Sequence, residues 1–180
     1  MTNTGKMVYL ALLLAAAIVL HIIEGMLPVL QIIILPGVKL GLANIITLLT
    51  LVLFGGRESI LLVILRVLLA SLLIGTFFTI PFFLSLAGAI SSSLIMAGIY
   101  FIARDHLSII TISIIGAIGH NIAQLLTAAY IVEQIAVFAY LPYMLLLSLP
   151  TGFFIGLLVN LIIKKQTLKF QINKCILFMN

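Results

Sequence analysis

Six apolar runs, separated by short clusters of Pro, Gly and charge, leave this chain little choice of fold. They fall at 7–27, 40–54, 59–77, 81–103, 109–132 and 140–163. A membrane-crossing helix needs about 20 mostly apolar residues, so a chain of 180 with short connections holds six. Nine Lys and Arg and four Asp and Glu give far too little polar surface to coat a soluble globule of this size. The expected fold is therefore all-α: a polytopic bundle of six transmembrane helices in one domain, 1–163, followed by a basic cytoplasmic tail, 164–180. The second run is short. Its fifteen residues reach only about 23 Å, so it needs help from flanking residues, is partly re-entrant, or lies under a thinned or water-filled vestibule.

The first run has Lys6 before an apolar core, as a signal peptide does. That core continues through Ile18-Val19-Leu20 and Ile22-Ile23 with no small-x-small cleavage site after it, which favours a retained helix. Charge then sets the orientation. With both termini cytoplasmic, the inner side carries Lys6, Arg57, Arg104, Lys164, Lys165, Lys169 and Lys174 against Lys39 alone outside. The net charge of +5 thus calls for anionic lipid headgroups and for no nucleic acid. The expected location is the cell membrane. Cys175 is the one cysteine, so no internal disulfide forms, and the chain carries no phosphate-binding loop, CxxC pair or HExxH. No metal or cofactor is expected.

Polar residues inside apolar helices are costly and concentrate attention. In the expected topology His21 and Glu24 lie about 21 and 26 Å up the first helix, three residues apart and on one face. Lys39 and Asn44 stand at the outer mouth of the second, in the stretch Pro36-Gly37-Val38-Lys39-Leu40-Gly41-Leu42-Ala43-Asn44. His120, Asn121 and Gln124 lie about 16 to 23 Å up the fifth, and Arg66 about 10 Å above the inner end of the third. Two readings stand for these groups. They are interhelical hydrogen bonds that hold the bundle together, or they line a polar pocket open to the outside. Agreement in depth among three helices, with Arg66 in reach from a fourth, favours a ligand pocket made by Lys39, Asn44, Arg66, His120, Asn121 and Gln124, with Glu24 and His21 at its rim. Phe77, Phe78, Phe82 and Phe83, and Tyr130, Phe138, Tyr140 and Tyr143, form outer aromatic clusters. Ala11 with Ala15, and Gly152 with Gly156, are small pairs that serve close packing inside the bundle or against a partner.

The run PGVKLGLANIITLLTLVLFGGRESILLVILRVLLASLLIGT, then SLAGAISS and GAIGHNIAQLLTAAY, resembles the Gx transporter family, often labelled heptaprenyl diphosphate synthase component I. The resemblance covers about 36–160. That family in turn resembles the substrate-binding S components of energy-coupling factor transporters. The resemblance implies a six-helix protein that captures a small vitamin-like molecule and docks on a transmembrane scaffold and ATPase subunits through an Ala-x-x-x-Ala face, here Ala11 and Ala15. It also implies a link to quinone-dependent or flavin-based electron transfer. The synthase label sits poorly with the residues, because trans-prenyl synthases hold magnesium and diphosphate on DDxxD motifs. Asp105 is the only aspartate. The chain is therefore expected not to be an enzyme, and the label to reflect association with a prenyl synthase subunit. His21 and His120 as haem ligands lack any supporting motif.

Overall fold

The computed structural model describes residues 3–25 and 41–178, with side chains as far as 165. Among these residues there are six α-helices and one 3-10 helix. They are α1 (Asn3–Gly25), α2 (Leu42–Phe54), α3 (Gly56–Ile74), α4 (Ile80–Ala103), α5 (Ile109–Val132), the 3-10 turn (Ile135–Tyr140) and α6 (Leu141–Phe178). Four segments are long and apolar enough to cross a membrane: α1, α4, α5, and the 3-10 turn with the first part of α6. The second helix is shorter than the sequence suggested. It has 13 residues, about 20 Å, and starts only at Leu42. The basic tail is drawn into α6, whose backbone stays helical to Phe178.

Local chemistry fixes the joints. Gly55, with φ of 103°, is the sole residue between α2 and α3; its N–H closes α2 on the Leu51 carbonyl and its own carbonyl accepts from Ser59. Gly75 ends α3 in the left-handed region that glycine enters without a Cβ penalty. Pro81 stands in the first turn of α4, where a missing N–H costs nothing. Ser108 caps α5, its hydroxyl accepting from Thr111 N–H at 3.1 Å.

Consecutive helices run antiparallel, so the bundle has a basic end and an aromatic end. At the basic end Lys6 pairs with Glu58 at 2.5 Å, tying α1 to α3, and Tyr9 packs on Phe54 of α2. At the aromatic end Phe77, Phe78, Phe82 and Phe83 stack around the α3–α4 turn. The largest apolar core joins α2, α4, α5 and α6 through Leu48, Met96, Ile112 and Val159. Smaller cores join α3 to α4 (Val63, Val67, Phe82) and α1 to α2 and α3 (Ala17, Ile46, Leu62).

Glycines set the closest approaches. A Cβ at Gly152 would lie 2.7 Å from the Ile114 Cα, and one at Gly156 2.6 Å from the Ile110 Cα, so the GxxxG pair of α6 is spent on α5 within the bundle. Gly116 and Gly119 of α5 likewise admit Met96 and Ile95 of α4. Ala11 and Ala15 do the opposite. Both are exposed, on a face of α1 that also presents Met7, Val8, Leu12 and Val19 away from the other helices.

Candidate functional site

The polar residues of the helices meet in one place. Arg66 projects from α3 about 15 Å from its start and is 2% exposed. Its Nη1 and Nη2 both point to the Asn44 Oδ1 of α2, each at 3.5 Å, and its Nε has no hydrogen-bond partner among the described residues. Glu24, in the last turn of α1, is buried, accepts a short hydrogen bond from the Gly41 N–H and acts on Arg66 through its charge. Gly41 is the N-cap of α2 and has φ of 76°. The Glu24 carboxylate therefore sits at the positive end of the α2 dipole, and Gly41 is the residue type that reaches this left-handed turn cheaply.

Around this trio His21, Glu24, Gly41, Ala43, Asn44, Arg66, Ser85 and His120 enclose a cavity of about 10 Å³, room for about one water. Five helices contribute. His120 reaches it because Gly88 of α4 has no side chain: a Cβ there would stand 2.8 Å from His120 Cε1 and from Gln124 Cγ. A second cavity, about 210 Å³, lies beside the first toward the aromatic end, lined by His21, Gly25, Val67, Ser71, Ile74, Thr76, Pro81, Phe82 and Ser85. His21 and Ser85 border both cavities.

Of the residues singled out in the sequence, His21, Glu24, Asn44, Arg66 and His120 thus converge. Gln124 is buried on Gly88 beside His120 but is outside the cavity lining. Asn121 is only half-buried and ties α5 to α6, its Nδ2 donating to the Met144 carbonyl at 2.8 Å. Lys39 lies outside the described residues. The sequence reading placed α4 but missed its part in the polar site, which is made by Ser85 and Gly88. Ser85 and Gly88 belong to the run Ser85-Leu86-Ala87-Gly88, where small residues at a spacing of three mark a helix face open to close approach. A second polar level lies nearer the basic end, where the buried Ser59 hydroxyl donates to the Thr47 carbonyl at 2.9 Å and meets Ser93 Oγ at 3.5 Å. It holds helices together and lines neither cavity.

Apolar helices long enough to cross a membrane, with an arginine and a glutamate sealed between them at a small polar cavity, define a multi-pass α-helical membrane protein with an internal polar site. The chain belongs to the heptaprenyl diphosphate synthase component I family, whose model matches residues 13–162. No curated protein and no solved structure matches it.

Proposed function

We propose that this protein is a membrane-embedded binding subunit of the energy-coupling-factor type, which takes a small molecule from outside into the cavity among α1 to α5. All six helices cross the cell membrane in this reading, with the basic end and both termini cytoplasmic and the aromatic end outside. The observation that carries it is Arg66. A guanidinium 2% exposed that, among the described residues, is bonded only to Asn44 at 3.5 Å and has Nε unmatched is costly as a mere structural tie and well suited to receive a ligand. The exposed face of α1 around Ala11 and Ala15 supplies a flat surface for a transmembrane scaffold, whose ATPase partners would drive uptake. The chain itself acts as a binder without catalysis.

The test is coexpression with an energy-coupling scaffold and its ATPases. Copurification that is lost in Ala11→Trp with Ala15→Trp, together with ATP-dependent solute uptake, is the expected result. Failure to associate or to support uptake in any combination would sink it. A second reading follows from the family's name, which speaks of a heptaprenyl diphosphate synthase component. There the bundle is a non-catalytic membrane partner that positions a soluble prenyl synthase at its basic end. It predicts copurification with that synthase, and loss of quinone on deletion with solute uptake unchanged.

A further inference from the structure

The two adjoining cavities differ in chemistry, and the difference specifies a ligand. In the smaller one Arg66 is 2% exposed and its guanidinium has five N–H donors, which among the described residues engage one oxygen, Asn44 Oδ1, at 3.5 Å from both Nη1 and Nη2. Nε has no partner among the described residues. The start of α2, with Gly41, Ala43 and Asn44 in the lining and no side-chain cap, adds the positive end of a helix dipole. Glu24 answers part of this charge from α1 through the Gly41 N–H, and among the described residues His21 of α1 and His120 of α5 are the other titratable groups facing the site. A cationic ligand group would be repelled here, and a neutral one would leave the guanidinium underbonded. A compact anion with two oxygens matches the guanidinium fork. Beyond His21 and Ser85, the larger cavity is walled by the apolar Val67, Ile74, Pro81 and Phe82, with Gly25 and the hydroxyl residues Ser71 and Thr76 between them. Its volume of about 210 Å³ exceeds the roughly 150 Å³ that accommodates benzene and falls short of the 300 Å³ or more typical of drug-sized ligands.

We infer that the site takes a small amphipathic anion: the one-water space beside Arg66 widens as Glu24 gives way to admit a carboxylate or phosphate group, and an apolar body of about one ring seats against Val67 and Phe82. Glu24 occupies part of the anion's electrostatic niche, so ligand and Glu24 compete for Arg66. This specifies the ligand class of the site on which the binding-subunit reading rests.

The test uses the purified full chain in lipid nanodiscs, without partners, titrated with benzoate, phenyl phosphate, benzamide, benzylammonium and anthracene-9-carboxylate, with calorimetry and the thermal midpoint as readouts. Benzoate or phenyl phosphate is expected to bind saturably and raise the midpoint, and which of the two is tighter distinguishes a carboxylate from a phosphate ligand. Benzamide, benzylammonium and the three-ring anion are expected to bind at least tenfold more weakly. Arg66→Gln and the chamber-filling Ser71→Leu should each weaken the favoured anion at least tenfold, whereas Glu24→Gln should tighten it severalfold. If Arg66→Gln does not fold, the opposite shifts of Ser71→Leu and Glu24→Gln decide. Absence of saturable binding by either small anion, equal binding of benzamide, or unchanged affinity in these variants would overturn the ligand class. Anion binding by the isolated chain, combined with failure to associate with any energy-coupling subunits in the coexpression test, leaves the ligand class standing and the transport role fallen; partner-dependent uptake without anion binding gives the reverse.

Discussion

At the scale of single residues, the site depends on an absence. Gly88 has no side chain, and His120 and Gln124 occupy the space a Cβ would need. Gly88→Ala is expected to destabilise the protein by about 1–3 kcal/mol through overpacking and to displace His120 from the cavity. Gly98 lies on the same helix with nothing within 4 Å of its missing Cβ, so Gly98→Ala should change stability by no more than about 1 kcal/mol. Equilibrium unfolding of the two variants in the same lipid or detergent separates the effects. Arg66, Glu24, His21, Asn44 and His120 were legible in the sequence because each is an expensive residue in an apolar run, and helical rise puts all but Arg66 in the same outer half, with the long Arg66 side chain in reach of them. Ser85 and Gly88 were not legible in this way. A serine costs little inside a helix and a glycine acts by what it lacks, so neither stands out until the neighbouring helix is in place. Asn121 shows the converse: an amide next to a site residue is one helical position, about 100°, away from the cavity and serves α6 instead.

Among the helices, the seam of α5 with α6 is built on close approach to backbone. Gly152 and Gly156 face the Cα atoms of Ile114 and Ile110, which cannot rotate aside as a side chain could. Gly152→Ala or Gly156→Ala should therefore cost about 1–3 kcal/mol, and the double variant should separate the helices and lower the unfolding midpoint further than either alone. The GxxxG pattern was visible in the sequence, but which surface it served was not, because a small pair reads alike toward a neighbour or a partner. The helix α2 shows a second limit. Its apolar run begins before Leu42, yet the helix starts only after Gly41, whose φ of 76° breaks the helical path and presents its N–H to Glu24. Hydropathy carries no trace of that turn. Gly41→Ala forces a Cβ into the left-handed region and to 3.3 Å from Asn44 Nδ2 and Ile155 Cδ1, so a loss of about 1–2 kcal/mol is expected, read by the same unfolding measurement.

The molecule as a whole buries polar groups and exposes apolar ones. Arg66, Glu24, His21, His120 and the hydroxyls of Ser59, Ser93, Ser113 and Ser148 lie inside, whereas Leu12, Phe101, Ile102, Leu146 and Phe154 face outward. Water would punish that arrangement and a lipid bilayer rewards it, because apolar side chains lose nothing against acyl chains while buried polar groups must find partners within the protein. The ends of the bundle differ as well. Lys6, Arg57 and Arg104 gather at one, and the phenylalanines of the α3–α4 turn at the other. Positively charged loops are retained on the cytoplasmic side, so the basic end should be cytoplasmic and the α3–α4 turn external. Replacing Cys175 by serine removes the native thiol, after which a single cysteine at exposed Thr79 or at exposed Asp105 reports one end each. In intact cells a membrane-impermeant maleimide should label Thr79→Cys and spare Asp105→Cys, and permeabilising the cells should expose both. The reverse pattern would place the larger cavity toward the cytoplasm, where it would serve release rather than capture.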